Sequence, residues 1–306
     1  MNLTLRQVRY FIAAAEAGQM SMAAKELNVS QSAVTIAILQ LEETLGVSLF
    51  DRQPGGVRLT PEGSRFLGRA RNIMAAVDDA LHSPLRENVS ETGHVRIGLT
   101  YTVGGYFLPR HYARFRQTYP NIAVELIEMP RDSLETAIVG GGIDMALMLV
   151  SNLRNHREID YETLLRSRRR LWLPAGHELV AAQRITLADV ADRDYIMLTV
   201  DEAGQTASRY WQHAGFQPKV TFSTSSVEAV RSMVAAGMGV TILSDMVYRH
   251  WSLDGQLIER RDLEDDIPTM DVGIAWKRDR RPQGAALTFF EHLALTFGGA
   301  GREAGD

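Results

Sequence analysis

Gln31, Ser32 and Thr35 stand at the start of a short amphipathic segment. Their side chains are those that read nucleobase edges: a Gln amide pairs bidentately with adenine, and Ser and Thr hydroxyls donate or accept. Ile36, on the same side, offers apolar surface that a thymine methyl can meet. Arg52 and Arg58 flank the turn sequence Gln53-Pro54-Gly55-Gly56 and can reach backbone phosphates. Catalytic chemistry has no comparable constellation. The eight His residues (His82, His94, His111, His156, His177, His213, His250 and His292) are scattered, without a His-x-x-x-His zinc spacing. No Gly-x-Ser-x-Gly elbow occurs, and Gly140-Gly141-Gly142 lacks the Lys-Ser/Thr of a phosphate loop. Cys is absent, which removes thiol catalysis and Cys-containing zinc sites. A non-enzyme without cofactor or metal is therefore expected.

The elements that must position these side chains are short helices. Leu5, Val8, Phe11, Ile12 and Ala15 recur at helical spacing up to Gly18. Ser21 is placed to cap a second helix carrying Ala23, Ala24 and Leu27. Asn28-Val29-Ser30 makes a tight turn, with Ser30 as cap of a third helix from Gln31 to Gly46. Val34, Ile38, Leu41 and Leu45 form its buried stripe; Gln31, Ser32, Thr35, Ile36 and Gln40 form its other face. Ser48–Arg52 and Val57–Thr60 then read as a small β-hairpin. Helix, tight turn, reading helix and hairpin make a winged helix-turn-helix; an ordinary three-helix bundle is the alternative.

Thr60-Pro61-Glu62 starts a longer helix, with Thr as cap and Pro at the first position. Along it Leu67, Ala70, Met74, Val77 and Leu81 make a heptad seam, flanked by Phe66, Ile73 and Ala80. A second copy of the chain is the simplest partner for that seam; the alternative is that it packs on its own domain. Pro84 ends or kinks the helix, and residues 86–93 read as a polar linker.

The whole chain has 306 residues, 45% of them apolar and 23% charged, with a formal net charge of −4 and no Cys. This excludes a disordered chain and a disulfide scaffold, and the length suits two domains. Residues 1–71 carry eight Lys/Arg against six Asp/Glu, a slightly basic head on an acidic body. There is no run of 18 apolar residues, and Met1–Arg6 lacks the charged-then-apolar order of a signal peptide. A soluble cytoplasmic protein is expected.

From His94 strands and helices alternate. Strands are predicted at Val95–Thr100, Ile122–Met129, Ile143–Leu149, Arg170–Leu173, Tyr195–Thr199, Val220–Ser223 and Val240–Leu243. Helices are predicted at Phe107–Tyr119, Ser133–Val139, Gln205–Ala214, Val227–Ala236 and Gly284–Phe297, which implies parallel sheets covered by helices. Arg166-Ser167-Arg168-Arg169-Arg170 reads as a solvated basic face, and residues 298–301 as a frayed tail.

The chain resembles the LysR-type transcriptional regulators over essentially its whole length. The resemblance is carried by Leu5-Arg6-Gln7-Val8-Arg9-Tyr10-Phe11, by Ala23 through Thr35, by Leu41 through Arg52, and by Leu59-Thr60-Pro61-Glu62-Gly63. It implies a winged DNA-binding domain (1–60), a dimerising linker helix and hinge (61–92) and a two-lobed α/β effector domain (93–306) like the periplasmic binding proteins. Lobe one is expected at about 93–164 and 268–306, lobe two at about 165–267. The implied partners are double-stranded promoter DNA, a small-molecule effector, RNA polymerase in an activator, and further copies of the chain as a homodimer or homotetramer. The chain departs from the family where basic residues usually follow Thr35: Ile36, Leu39 and Gln40 stand there. Fewer phosphate contacts are expected from this helix. Leu39 either shares the exposed face or packs inward.

In a sheet of this kind ligands sit at the C-terminal ends of strands. That rule selects Thr100, Tyr101, Thr102, Met129 and Arg131 in lobe one and Thr199, Asp201 and Ser225 in lobe two, with Met148 adding apolar wall. Two groups of hydroxyls with Arg131 suit a small organic acid, whereas Asp201 facing inward favours a donor or amine. Plain helix capping is the alternative role for each hydroxyl. A DNA-binding protein with a ligand-independent assembly domain, and a stand-alone two-lobed receptor, are the competing readings of the whole.

Overall fold

A computed structural model describes residues 3–53, 56–82 and 91–297, and the chain divides into two compact units between residues 86 and 87. In the first, Thr4 opens α1 (Leu5–Ala17) through a capping box: its hydroxyl accepts from Gln7 N at 3.3 Å while Gln7 Oε1 accepts from Thr4 N at 2.9 Å. Gly18 ends the helix at φ 66°. Helix α2 (Met20–Glu26) starts from an extended Gln19, so Ser21 lies inside it and does not cap it. Asn28 turns the chain at φ 53°, and Ser30 Oγ accepts from Ala33 N at 3.2 Å to start α3 (Gln31–Leu45).

Glu42 Oε1 accepts from Leu49 N at 2.6 Å and Phe50 N at 3.1 Å, tying α3 to the hairpin of β1 (Phe50–Gln53) and β2 (Gly56–Leu59). Thr60 then caps α4 (Pro61–His82): its Oγ1 accepts from Gly63 N at 2.9 Å and donates to Ser48 O at 2.8 Å. A Cβ at Gly63 would stand 2.0 Å from the Leu49 carbonyl oxygen, so only glycine admits this approach of helix to hairpin.

Val8, Phe11, Val34, Ile38, Leu41 and Leu49 form the core of this unit, with Phe11 packed on Phe50 and Phe66. Two expectations are corrected here. The buried stripe of α3 is Val34, Ala37, Ile38 and Leu41; Leu45, in the last turn, lies past the core and is exposed. Ala70 of the heptad seam is fully buried within this unit, and Leu67, Met74, Phe66 and Ile73 pack half-buried on the same core. The first half of the seam is thus spent on its own domain. Val77 is half-buried, while the side chains of Leu81 and Ala80, together with Pro84 and most of the linker, lie outside the described residues.

The second unit holds two sheets. The chain runs through β3 (Gly93–Leu99), α5 (Tyr101–Tyr106), α6 (Leu108–Thr118), β4 (Ile122–Glu128), α7 (Arg131–Gly140), β5 (Met145–Leu149) and β6 (Ile159–Ser167). It crosses to β7 (Arg169–Pro174), α8 (Leu187–Ala191), β8 (Asp194–Leu198), α9 (Ala203–His213), β9 (Lys219–Thr224), α10 (Val227–Ala235), β10 (Thr241–Ser244) and β11 (Ile258–Arg261). It returns with β12 (Met270–Lys277) and α11 (Ala285–Phe297). The first sheet has the order β4-β3-β5-β12-β6. In the second, β10-β7-β11 meets the pair β8-β9 through a Tyr195–Val240 bridge.

Alternation along the strands gives each sheet two apolar faces. Ile97, Leu99, Leu147 and Ile274 face α6 and α11, while Ala146, Met148 and Ala275 face α7. Leu171, Tyr195 and Ile242 face α9, while Trp172, Ile196 and Leu243 face α10. The sheets are mixed, against the parallel expectation: β3 pairs β4 and β5 in parallel, but β12 runs antiparallel to β5 and β6, and β7 antiparallel to β10 and β11. Strands entering straight from the other lobe need no helical crossover and so are free to run antiparallel.

The basic run at the crossing is not a uniform solvated face. Arg166 is exposed, but Arg169 donates to the carbonyls of Pro268 and, at 2.8 Å, Thr269, and Arg170 pairs with Asp262 at 2.8 Å.

His111 on α6 is buried between Phe107 and Phe297, ring centroids 4.8 and 4.9 Å away. Burial, aided by the charges of Arg110 and Arg114, pushes it down to about 3. The unfolded chain, with an ordinary His near 6.5, therefore binds more protons than the folded one between these values. Stability is complete above about pH 6.5 and falls as pH drops towards 3. His111→Phe, which also removes the acceptor that Arg110 Nε reaches at 2.9 Å, should flatten that acid limb between pH 7 and 4 in urea-unfolding curves; an unchanged limb would refute the assignment.

Candidate functional site

Two sites emerge, one in each unit. On α3, Gln31, Ser32, Ile36, Leu39 and Gln40 are exposed and Thr35 is half-buried, opposite the buried stripe. Leu39 therefore does not pack inward. Three polar groups are engaged within the protein: Ser32 Oγ lies 3.0 Å from Ser30 Oγ, Thr35 donates to Gln31 O at 2.9 Å, and Gln40 accepts from Gln7 Nε2 at 3.4 Å. Gln31 makes no side-chain hydrogen bond among the described residues. Arg58 is half-buried on β2, paired in register with Asp51, and the side chain of Arg52 lies outside the described residues.

In the second unit three of the expected residues, Thr102, Arg131 and Asp201, make contacts across the lobes, with an unforeseen polarity. Thr102 N donates to Asp201 Oδ2 at 2.7 Å, and Asp201 O accepts from Asn152 Nδ2 at 2.9 Å. Asp201 and its neighbour Glu202 both stand at positive φ, 49° and 59°. Arg131, 3% exposed, is held by Glu135 at 2.9 Å, Glu202 at 3.1 Å and Asp132 at 2.6 Å. Its guanidinium is consumed by the protein's own carboxylates, which removes the cation that the organic-acid expectation relied on.

Further along the cleft Tyr106 donates to Glu228 at 2.8 Å. Burial and that carboxylate push the Tyr106 hydroxyl up to about 12. Burial pushes Glu228 upward, but hydrogen bonds from Arg231 and Tyr106 outweigh it and hold the carboxyl below its usual range.

A cavity of about 510 Å³ opens at the end of β8 and the start of α9 and contains two expected residues, Thr199 and Asp201, with Met197, Glu202, Gln205 and Ser208. Thr100 is 2% exposed, and its Oγ1 is buried without a hydrogen-bond partner among the described residues, so it does not cap α5. Tyr101 is partly exposed beside it. Met148 is fully buried in the core under α7, and Met129 packs on the same cluster; neither forms an open wall. Ser225 is exposed, and the cap of α10 is Ser226, whose Oγ accepts from Ala229 N at 3.2 Å.

Asn152, Glu135 and Glu202 were not foreseen. The spacing of Arg131 and Glu135 by four on one helix was a readable signal; Asn152 carried none. A second cavity of about 470 Å³, lined by Ile138, Asp144, Lys277, Arg280 and Gln283 among others, lies at the opposite end of the first sheet and contains none of the expected residues. Among the described residues no helix is long and apolar enough to cross a membrane.

Comparison with known proteins agrees with this division. Residues 5–64 match the family described as bacterial regulatory helix-turn-helix protein, lysR family, and residues 88–297 match the LysR substrate binding domain. The chain is 32% identical to the probable HTH-type transcriptional regulator LrrA of Synechococcus elongatus over 79% of this chain and 81% of that one. It is 29% identical to the HTH-type transcriptional regulator AlsR of Bacillus subtilis over 95% of both. Among solved structures it is similar to HinK, a LysR family transcriptional regulator from Pseudomonas aeruginosa, with a TM-score of 0.62 and 28% identity over 95% of this chain and 97% of that one.

Proposed function

The chain belongs to the LysR family of bacterial helix-turn-helix transcriptional regulators, a non-enzymatic family, and from that premise we propose that it controls a promoter in response to a small molecule held between its C-terminal lobes. In this reading Gln31, Ser32 and Thr35 meet base edges, and Arg52 and Arg58 meet phosphates. The protein works as a homodimer or homotetramer, with Val77 and Leu81 on the distal part of α4 contributing to the contact between copies. Effector binding changes the angle between the lobes, which repacks the oligomer, alters the spacing of the reading heads and bends the DNA.

The observation that carries the effector site is Thr100 Oγ1. A buried hydroxyl without a partner costs about 1–3 kcal/mol, and a ligand that supplies the partner recovers it. Thr100 lies two residues from Thr102, whose amide meets Asp201 at the cavity. The polar groups lining the cavity are Thr199, Asp201, Glu202, Gln205 and Ser208; Glu202 also holds Arg131, Gln205 accepts from Arg154 at 3.3 Å and Ser208 donates to Gly204 O at 2.9 Å, so the lining itself presents acceptors and neutral donors. They favour a small polar molecule that donates hydrogen bonds over a simple carboxylate.

A thermal-shift panel of amines, polyols and carboxylates tests this. A compound at about 100 times its dissociation constant should add about 2.7 kcal/mol. Thr100→Val, isosteric and free of the orphaned hydroxyl, should unfold at or above the wild-type midpoint yet lose the shift. No shift with any class would favour a C-terminal unit that serves assembly alone.

A further inference from the structure

We propose that α3 reads its operator through thymine methyl groups, with Ile36 and Leu39 as the residues that set this specificity; the inference rests on the DNA-reading role proposed above for the same helix. Helix α3 contains no Lys or Arg, and its only charges are Glu42 and Glu43. No side chain of this helix therefore offers a positive charge to phosphate, and its outer face offers apolar surface instead.

At about 100° per residue, Ser32, Thr35, Ile36 and Leu39 fall within an arc of about 100°. That arc points directly away from the stripe of Val34, Ala37, Ile38 and Leu41. Ile36 is 55% exposed and Leu39 48%, against 7% or less for every residue of the stripe. They are not overflow from the core. Spaced by three on one helix, they are surface neighbours and form a single apolar patch.

Polar readout within the same arc is restricted. The Thr35 hydroxyl hydrogen is committed to Gln31 O, and Ser32 Oγ is paired with Ser30 Oγ. At the centre of the arc the free surface is hydrocarbon. In a major groove the only hydrocarbon that distinguishes one base from another is the C5-methyl of thymine. The absence of Lys and Arg from α3 fits that target better than the phosphate rails on either side. Gln31, at the flank of the arc, adds amide contact with an adjacent base.

The test uses the full chain and an operator that the protein itself selects from random-sequence duplexes. That duplex is then made twice, once with thymine and once with uracil at every thymine position, which removes the methyls and leaves the pairing intact. Each methyl lost from an apolar contact should weaken wild-type binding about fourfold. A two-fold site with one contact in each half should therefore lose about fifteenfold. The double variant Ile36→Ala, Leu39→Ala should bind both duplexes equally, near the affinity of the wild type for the uracil form. Its thermal midpoint and oligomeric state should be unchanged, because both side chains are exposed.

A wild type indifferent to uracil overturns the proposal while leaving the DNA-reading role intact. So does a uracil penalty of equal size in wild type and variant, which would report DNA shape. A variant with altered oligomeric state would mark the patch as a contact between copies and overturn it as well. If selection enriches no duplex, the DNA-reading role fails and takes this inference with it.

Discussion

Arg131→Met should lower the stability of the C-terminal unit by about 3–5 kcal/mol, seen as a drop in the urea midpoint. All four Trp residues (Trp172, Trp211, Trp251 and Trp276) belong to this unit, so their fluorescence reports on it alone. The size of the effect comes from what is left behind. Glu135 is 8% exposed and also accepts from the backbone amides of Arg154 and Asn155, both at 3.0 Å. Those two donors do not neutralise a buried carboxylate, and Glu202 loses its partner as well. Arg131→Lys should recover less than half of the loss, since one ammonium cannot span three carboxylates. The double variant Arg131→Met, Glu135→Leu should be more stable than Arg131→Met, because it removes the stranded charge with its partner. A wild-type midpoint for Arg131→Met would show that the guanidinium does not hold the cleft together.

The second large effect is expected at Asp201. Its carboxylate takes the Thr102 amide at 2.7 Å, its carbonyl takes Asn152, and its backbone stands at φ 49°. Asn tolerates that conformation and keeps an acceptor. Gly tolerates it and loses the acceptor, and Ala loses both advantages. The predicted order of stability is therefore wild type near Asp201→Asn, then Asp201→Gly, then Asp201→Ala, the last lower by about 2–3 kcal/mol. Hydrogen exchange at the Thr102 amide should follow the same order and be fastest in Asp201→Ala. Equal exchange in the Asn and Ala variants would mean that the contact does not hold the lobes.

What was legible in the sequence was local. Ser30, Gly46 and Thr60 announced helix ends because a cap depends on residues within one turn, and the hairpin announced itself through its turn. The Thr4–Gln7 capping box was equally local but went unread. The strands β6 and β12 escaped although Met270, Val272, Ile274 and Trp276 alternate with Asp271 and Gly273 and share one core face; the pairing of one strand with the other fixes their place. Leu45 kept the helical period beyond the point where the core ends, so period alone overstated burial. Thr102, Arg131 and Asp201 were legible as positions at strand ends, but their partners were not. Glu202, which helps to neutralise Arg131, is 71 residues away along the chain, and no spacing rule couples them.

The chain passes between the lobes twice, and the two passages are stitched together: Arg169 holds the carbonyl of Thr269, and Met270 faces Ser167 in register. A door hung at two points on one side swings about the line through them and resists sliding or twisting across it. The lobes are constrained in the same way, so a motion of one against the other is a change of angle. The rim farthest from the crossings then travels farthest, and a modest event beside Asp201 becomes a leverage at the outer edge of each lobe.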